Sequence, residues 1–328
     1  MKFLVIRFSS IGDIVLTTPV IRNLKTQIAT AEIHYLTKRS FSSILTSNPY
    51  IDKLHFLEDD LDRTIEELKR EDYDYVIDLH HNIRTLKVKK ALNKKAFSFN
   101  KLNIEKWLYV NFKWNVMPDM HIVDRYMNTL KGFGVVNDEK GLDYFIPESE
   151  HVKEDDIPTT HLAGYVGLVI GGAHGTKKYP VHKWKEFCEE FEHPVMLLGG
   201  KEDQDQGEAI SAMDRYKIYN ACGKFSINES ADLVRRAKLI VTNDTGLMHI
   251  AAAFGKPVIS LWGNTVPEFG MYPYYGNKEI ANSEFEIRKL SCRPCSKIGY
   301  ARCPLGHFKC MELISAEAIA AKAGELLK

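Results

Sequence analysis

Residues 238–265, KLIVTNDTGLMHIAAAFGKPVISLWGNT, predict a strand, a turn, a helix, a second turn and a second strand. The first apolar run ends at Val241, and a polar turn separates it from the apolar helix. Two strands joined by a helix are typical of a parallel sheet that is covered by helices. This stretch therefore favours an α/β fold.

The same alternation of strands and helices occurs towards both ends of the chain. In the first half, residues 2–8, 32–36 and 73–79 predict strands, and residues 14–26 and 121–134 predict helices. In the second half, GYVGLVIGG (164–172) and HPVMLLGG (193–200) predict strands that flank the helix HKWKEFCEEF (182–191). The acidic segment 148–163 has no apolar period, so we expect the domain boundary there.

Length and charge narrow the classes of protein. At ~150 residues per domain, 328 residues predict two domains or one large α/β unit. Lys and Arg number 44 against 43 Asp and Glu, whereas a protein that wraps duplex nucleic acid normally has a large basic excess. No apolar run approaches the ~20 residues of a membrane span. The first residues, MKFLVIRF, predict a buried strand rather than a secretory signal, so we expect a cytoplasmic protein.

The turn after Val241 is a candidate anion site. Thr245 and Gly246 lie at the predicted helix start, where exposed amides and the helix dipole favour an anionic ligand. His249 follows one turn later and could donate a hydrogen bond to a phosphate. The alternative interpretation is a helix with Asp244 as its N-cap and His249 as an ordinary histidine.

Two other loops follow predicted strands, at the edge where α/β sheets bind ligands. Lys177 could neutralise the charge that develops on a leaving phosphate, although most loop lysines are merely solvated. Glu202 or Asp203 could accept hydrogen bonds from ribose hydroxyls, and a solvated acidic loop is the equal alternative.

Asp13 lies where the first predicted strand gives way to the first helix. A carboxylate there could act as a general base, and Gly12 would keep the adjacent backbone open to substrate. The competing interpretation is a residue that caps the helix. The absence of GxGxxG after this strand argues against a dinucleotide-binding dehydrogenase.

Four cysteines are concentrated near the end of the chain: Cys292, Cys295, Cys303 and Cys310. C-x2-C followed by two further cysteines can form a zinc site. The second pair is separated by six residues, which does not match a double knuckle. A reduced cluster that stabilises a loop is therefore the favoured interpretation, and zinc is the alternative. A disulfide is less favoured in a reducing compartment.

Several segments, in this order along the chain, resemble the heptosyltransferases of glycosyltransferase family 9. They are RFSSIGDIVLTTPVIRNLK (7–25), DLHHNIRT (78–85), HIVDRY (121–126), the TKKYP segment (176–180), LLGGKED (197–203), NDTGLMHIAAAFGKPVISLWGNT (243–265) and the cysteine-rich CRPC…CPLGH. The resemblance implies a GT-B fold, in which two Rossmann-like domains with parallel sheets face a central cleft. The expected parts are an acceptor-binding domain (1–155), a nucleotide-sugar-binding domain (156–314) and a C-terminal helix (315–328). Ser315 is the predicted N-cap of that helix, which the resemblance places against the first domain.

The resemblance also implies an activity and a set of site residues. The activity is the inverting transfer of heptose from ADP-heptose to the lipopolysaccharide inner core, either Kdo-lipid A or heptosylated core. Asp13 and Lys177 are the expected catalytic residues. The expected donor-binding residues are Thr176, Lys177, Glu202, Asp203, Asp244, Thr245, Gly246 and His249. The expected acceptor-binding residues are Ser10, Gly12, Arg84, His121 and Arg125.

The expected partners are a nucleotide sugar and an anionic glycolipid, with no nucleic acid. No carboxylate cluster suited to a divalent metal is evident, so we expect no obligatory metal or other cofactor. The basic run 84–106 and the aromatic residues after it suggest a surface for an acidic glycolipid, with peripheral contact at the cytoplasmic face of the inner membrane. A solvated, lysine-rich helix is the competing interpretation.

Three other functions remain open at this point. One is a GT-B transferase for a different nucleotide sugar or acceptor. Another is a catalytically silent relative that binds ADP, although such a protein has no physical need for Asp13, Lys177 and the 244–249 motif together. The last is a zinc-dependent interaction module built on the cysteines.

Overall fold

The computed structural model describes residues 1–328, which divide into two compact units. The first unit comprises Met1–Lys101 and Met120–Phe145, and the second comprises Leu102–Asp119 and Ile146–Lys328. Each unit contains one parallel β-sheet covered by helices, so the predicted α/β class is confirmed. No helix combines the length and the apolar character that crossing a bilayer requires.

The first part of the chain alternates as the sequence predicts. Its elements are β1 (Lys2–Ile6), α1 (Ile11–Val15), α2 (Thr18–Gln27), β2 (Glu32–Thr37), β3 (Lys53–Phe56), α3 (Leu61–Lys69), β4 (Tyr75–Asp78), α4 (Ile83–Leu92), β5 (Lys95–Ser98), α5 (Asn103–Phe112) and α6 (Ile122–Met127). The strand order is β3-β2-β1-β4-β5, and every neighbouring pair is parallel. The carboxyl ends of these strands therefore share one edge, where Asp13 follows β1.

Two predicted helices of the first unit are interrupted. The helix expected over 14–26 is divided between α1 and α2, with Thr17 as the N-cap of α2. Pro19 explains the break, because proline lacks an amide hydrogen and its ring clashes with the carbonyl four residues earlier. The helix expected over 121–134 is α6 followed by a 3₁₀ turn that ends at Gly134, whose φ of 71° suits glycine.

The second unit has a larger sheet. Its elements are α7 (Thr159–Leu162), β6 (Val166–Val169), α8 (Val181–Glu190), β7 (Val195–Leu198), α9 (Gln204–Ser211), β8 (Ile218–Asn220), α10 (Ile227–Arg236), β9 (Leu239–Asn243), α11 (Gly246–Ala253), β10 (Val258–Trp262), β11 (Asn282–Glu286), α12 (Lys309–Glu312) and α13 (Ala316–Leu326). The strand order is β11-β10-β9-β6-β7-β8, again all parallel. The strand–helix–strand prediction over 238–265 corresponds to β9, α11 and β10.

The C-terminal helix α13 forms where the sequence predicts it, with the Ser315 hydroxyl accepting from the Ala318 amide at 3.1 Å. The resemblance implied that this helix packs on the first domain. Instead, Ile319 and Ala323 are buried in the core of the second unit with Trp184 of α8. This placement corrects the expectation, because the apolar face of α13 is covered by the second unit, to which the helix belongs.

Residues 102–119 also belong to the second unit, although the expected first domain extended to residue 155. The Tyr109 ring of α5 contacts Phe269 edge-on at 6.1 Å between centroids. Lys113 Nζ donates to the carbonyl of Pro294 at 2.8 Å. These contacts bring an early segment of the chain into the later unit.

Candidate active site

Asp13 lies in α1, directly after β1, and its carboxylate is held by the preceding turn. Its Oδ2 accepts from the Ser10 amide at 3.2 Å and from the Ser10 hydroxyl at 2.8 Å. The helix-capping contact weighed from the sequence is therefore present. The Asp13 side chain is still 20% exposed, so its carboxylate remains accessible to a ligand.

Arg7 orients Asp13, and sequence reasoning missed it as a site residue. Its Nη2 lies 2.7 Å from Asp13 Oδ1. The remaining donors bond to the Ser9 carbonyl, the Leu79 carbonyl and the Tyr126 hydroxyl, at 2.7, 2.7 and 3.1 Å. Burial opposes ionisation, yet the charge of Asp13 raises the pKa of Arg7 above its ordinary value. Arg7 is thus a fixed buried cation beside the carboxylate.

His80, which follows β4, is a second missed residue of this site. Its ring contacts Phe8 at 4.7 Å between centroids. Burial, followed by the charges of Arg7 and Lys101, lowers the pKa of His80 to about 4. His80 is therefore a neutral imidazole at physiological pH, and its buried Nδ1 has no hydrogen-bond partner in the protein.

The expected acceptor residues fall into different environments. Ser10 and Gly12 adjoin Asp13, and Arg84 extends over the Phe8 ring at 5.3 Å. Arg84 also lines a cavity together with Lys38 and Arg39, neither of which was singled out in the sequence.

His121 and Arg125, by contrast, are buried residues at the start of α6 and within it. His121 caps this helix by accepting from the Val123 amide at 3.1 Å through Nδ1. This capping role explains why His121 is buried rather than directed to solvent.

In the second unit, the loops after β6, β7 and β9 converge at the carboxyl edge of the sheet. A Cβ added to Gly171 would lie 2.5 Å from Asp203 Oδ2, and one added to Gly172 would lie 3.6 Å from Thr245 Cγ2. Gly171 therefore allows the first loop to approach the loop after β7, and Gly172 lies within ordinary contact distance of Thr245. Open α/β sheets bind ligands at this edge.

Lys177 and Asp244 form an ion pair at the centre of these loops. Lys177 Nζ lies 2.5 Å from Asp244 Oδ2, which also accepts from the Thr265 hydroxyl at 2.9 Å. Asp244 is therefore not the N-cap of α11 but the residue that positions Lys177. Thr265, in the loop after β10, was not anticipated as part of this arrangement.

The start of α11 is open in the way an anion site requires. Thr245 is its N-cap, with extended backbone, and no side chain caps the first turn. Gly246 is the first helical residue, and His249 is buried one turn further along. Amides at a helix start attract anions, and here they lie near the Lys177 ammonium.

Asp203 and Thr176, which were expected to bind the donor substrate, make structural contacts within the protein instead. Asp203 is 0% exposed, and its oxygens accept from the Gly200 amide at 2.9 Å and from Lys178 Nζ at 2.5 Å. Glu202, by contrast, is exposed. The Thr176 hydroxyl donates to the Tyr300 carbonyl at 3.1 Å and accepts from the Tyr300 amide at 2.8 Å. Thr176 thereby anchors its loop rather than facing a ligand.

The cysteine-rich segment supports the donor loops through its backbone and one arginine. A Cβ on Gly175 would lie 2.1 Å from the Ala301 carbonyl oxygen, so the two backbones are in close contact. Arg293 Nε donates to the Gly263 carbonyl at 2.5 Å, and its Nη2 donates to the Thr265 carbonyl at 2.9 Å. The segment therefore packs against the loop after β6 and donates hydrogen bonds to the loop after β10.

The four cysteines of this segment lie near one another. All are free thiols, and no three of them lie within 4.8 Å of one another. Burial, followed by the neighbouring Cys292 and Cys303, raises the pKa of Cys295. The reduced cluster that stabilises a loop stays a prediction, as does its zinc alternative.

Asn264, between the two carbonyls that Arg293 binds, is a further missed residue. Its side chain is 1% exposed, and both amide atoms lack a hydrogen-bond partner. A buried amide without partners is rare and is typical of a position that a polar ligand or a water completes.

The model of glycosyltransferase family 9 (heptosyltransferase) matches residues 61–300. The chain belongs to this family. It is 27% identical over 299 residues to lipopolysaccharide heptosyltransferase 1 of Campylobacter coli. The alignment covers 81% of this chain and 84% of that protein.

Two solved structures share the fold of this glycosyltransferase. The family 9 glycosyl transferase of Veillonella parvula DSM 2008 has a TM-score of 0.79 at 22% identity, covering 99% of this chain and 97% of that one. The E. coli heptosyltransferase WaaC with ADP has a TM-score of 0.70 at 18% identity, covering 99% and 100%. The expected two-domain GT-B class is thus confirmed. Asp13 lies outside the residues that the family model matches, so its role depends on its geometry.

Proposed function

We propose that this enzyme transfers heptose from ADP-heptose to the inner core of lipopolysaccharide, with inversion at the anomeric carbon. The observation that carries the proposal is the Lys177–Asp244 pair beside the uncapped start of α11. A cation next to open helix amides suits a diphosphate better than any neutral ligand.

The donor half of the reaction depends on this cationic site. As the bond from the sugar to the diphosphate breaks, negative charge grows on the leaving phosphate. Lys177 and the amides of Thr245 and Gly246 stabilise that charge, and His249, one turn further along the helix, donates a hydrogen bond to the phosphate. One such well-placed donor accelerates a reaction by ~10²–10³-fold. Glu202 contacts the ribose. The side-chain amide of Asn264, which has no partner in the protein, makes a further contact with ADP-heptose.

The acceptor half depends on Asp13. Its carboxylate removes the proton of the attacking hydroxyl, which reaches the anomeric carbon opposite ADP. Arg7 keeps the carboxylate in place through their 2.7 Å contact, and Ser10 holds its other oxygen. General base catalysis of this kind contributes ~10²–10⁴-fold. We expect transfer to proceed in EDTA, without a divalent metal.

Anionic groups of the acceptor are bound by cations of the first unit. Arg84, Lys38 and Arg39 line one cavity there, which Glu58 and Asp59 also line. Arg39 is paired with Glu58, so Arg84 and Lys38 are the cations that contact phosphate or carboxylate. The acceptor is accordingly the anionic core glycolipid, either Kdo-lipid A or a heptosylated form.

A lipid surface is contacted by α5 and the residues that follow it. Exposed apolar side chains are concentrated there: Ile104, Trp107, Phe112, Trp114 and Val116. Trp107 and Phe112 stack edge-on at 5.2 Å. Aromatic residues flanked by lysines favour a membrane interface with anionic headgroups. The enzyme therefore works at the cytoplasmic face of the inner membrane as a peripheral protein.

The activity is tested by calorimetry and a transfer assay. We expect ADP to bind more tightly than UDP or GDP, and Kdo-lipid A incubated with ADP-heptose to gain the mass of one heptose. Equal affinity for the three nucleotides would indicate a different donor. ADP binding without transfer to any core acceptor would indicate a silent relative. Either result contradicts the proposal.

The membrane contact is tested separately by co-sedimentation with vesicles of anionic phospholipid. Trp107→Ser combined with Trp114→Ser should reduce binding, whereas Tyr216→Ser, which removes an exposed aromatic of the second unit, should not. Binding that does not depend on anionic lipid, or an equal loss in both variants, would contradict it.

A further inference from the structure

Polar ligand-type side chains cluster at the amino-terminal edge of the first sheet, away from Asp13. His34 of β2 and His55 of β3 lie on the same face, because His34 pairs with Lys53 and His55 is two residues further. Glu71 and Tyr73 come from the turn between α3 and β4. The proposed transfer reaction uses none of these residues.

The histidine nitrogens and the tyrosine hydroxyl form a compact triangle. His34 Nδ1, His55 Nε2 and Tyr73 Oη are each 3.0 Å from the other two. Glu71 completes the group, with carboxylate oxygens 3.8 Å from His34 Nδ1 and 4.0 Å from His55 Nε2. The two histidines and Tyr73 are buried, while Glu71 reaches the surface.

The hydrogen bond on the far side of His34 determines where its lone pair points. His34 Nε2 lies 2.9 Å from Glu32 Oε1. A carboxylate can only accept, so Nε2 carries the proton and Nδ1 presents its lone pair to the cluster. A histidine oriented by a carboxylate in this way is a recurring feature of metal sites.

We propose that His34 Nδ1, His55 Nε2 and the Glu71 carboxylate bind a divalent transition-metal ion of the zinc class, with water or the Tyr73 hydroxyl in the fourth position. Ligands at ~2.0–2.1 Å from a tetrahedral ion are roughly 3.3 Å apart. The observed separations of 3.0, 3.8 and 4.0 Å lie around that value, so small side-chain movements suffice. Two histidines and one carboxylate form a familiar zinc ligand set.

Two lysines contact the Glu71 carboxylate, and a metal ion must displace their ammonium groups to bind there. Lys53 forms an ion pair with one carboxylate oxygen, and Lys2 Nζ lies 3.4 Å from the other. The Lys53 side chain is 52% exposed and can therefore swing into solvent when a metal binds. These ammonium groups compete with the ion, so removing Lys53 should strengthen metal binding rather than weaken it.

The site has a structural rather than a catalytic role. Its ligands join β2, β3 and the turn before β4 at one edge of the sheet, whereas Asp13 follows the opposite end of β1. A bound ion would tie these elements together and stabilise the first unit. The inference is therefore compatible with a transfer reaction that proceeds in EDTA, and it does not depend on the proposed function.

The test is zinc titration of the full-length protein after removal of metal by a chelator. We expect His55→Gln and Glu71→Gln each to lose one zinc equivalent relative to the wild type. Comparing equivalents separates this site from any zinc on the thiols of Cys292–Cys310. His182→Gln is the matched control, since His182 is an exposed histidine paired with Glu312 in the second unit.

Two further variants distinguish a metal site from a hydrogen-bonded cluster. Glu32→Gln should weaken zinc affinity by about 10–100-fold, because it removes the group that orients His34. Lys53→Met should increase affinity. Zinc should also raise the melting temperature of the wild type and of His182→Gln but not of His55→Gln.

The proposal is overturned if His55→Gln and Glu71→Gln bind as many zinc equivalents as the wild type. Circular dichroism in the presence of chelator checks that the variants fold. If His55→Gln does not fold, Glu71→Gln decides the matter, because the Glu71 side chain is less buried than that of His55. Cobalt in place of zinc gives an independent readout, because this site should give visible absorption bands without thiolate charge transfer. The same visible bands in Glu71→Gln would also contradict the proposal.

Discussion

The Arg7 guanidinium contacts the Asp13 carboxylate at 2.7 Å, and the Arg7 side chain is itself bound to the Leu79 carbonyl and the Tyr126 hydroxyl. A buried arginine thus connects the turn after β4 and helix α6 to the proposed base. Any ligand that reaches Asp13 meets a carboxylate whose orientation is set by three separate parts of the first unit.

Asp13→Asn should reduce heptose transfer by about 10²–10⁴-fold, because an amide cannot accept the proton of the attacking hydroxyl. The amide side chain keeps the shape of the carboxylate, so the fold should persist. The measurement is the rate of transfer, compared with the affinity for ADP by calorimetry. ADP affinity should stay unchanged, and an equal loss of both would identify Asp13 as purely structural.

Lys177→Met should lower activity, whereas Lys178→Met, in the next residue, should lower stability. Lys177 pairs with Asp244 in the candidate site, and its loss should lower kcat/KM by about 10²–10³-fold with weaker ADP binding. Lys178 pairs with the fully buried Asp203, and its loss should cost about 1–3 kcal/mol of unfolding free energy. Kinetics and urea denaturation of both variants provide the measurement, and the reverse assignment would contradict the site.

Gly175→Ala should destabilise the protein by about 1–3 kcal/mol and weaken ADP binding. The added Cβ would lie 2.1 Å from the Ala301 carbonyl oxygen, so the donor loop and the cysteine-rich segment would have to separate. Gly324→Ala in α13 is the matched control, because its Cβ meets nothing within 4 Å. Alanine favours a helix by about 1 kcal/mol, so this control should be slightly more stable. Thermal and chemical denaturation distinguish the two signs.

Acid should destabilise the first unit partly through His80. Its folded pKa of about 4 lies below the ordinary value of 6.5, so the unfolded chain binds the proton more readily. The associated stability is fully present above pH 6.5 and is lost as the pH falls towards 4. We expect a loss of about 2 kcal/mol over this range, discounted for partial solvent exposure.

The check on His80 is urea denaturation between pH 7 and pH 4. Arg7, Lys101, Asp13 and Asp78 surround the histidine and remain in the variant His80→Gln. That variant should show a shallower decline of stability with acid. An identical decline in both proteins would mean that His80 is not the responsible group.

The sequence predicted the sheet architecture because parallel strands are short apolar runs that turn-forming residues separate. It also indicated Asp13, Lys177 and Asp244 as candidate site residues, since each follows a predicted strand at the edge where ligands bind. Helix α5 was not predicted. Its segment has no buried residues of its own, and its position depends on contact with Phe269, far along the chain.

Other site residues could not be assigned roles from the sequence because their partners are distant. Arg7 depends on Tyr126, and Arg293 depends on the carbonyls after β10. The burial of Asp203 also required coordinates, because the lysine that pairs with it lies on a different loop.

The division of the chain between its units has a practical consequence for dissecting the enzyme. The chain changes unit three times, after residues 101, 119 and 145. Cutting once near residue 155 would leave α5 on a fragment without Phe269 and Pro294, the groups that receive it. Such a half-protein would expose Tyr109 and aggregate, whereas a first unit with residues 102–119 replaced by a short polar linker should express on its own.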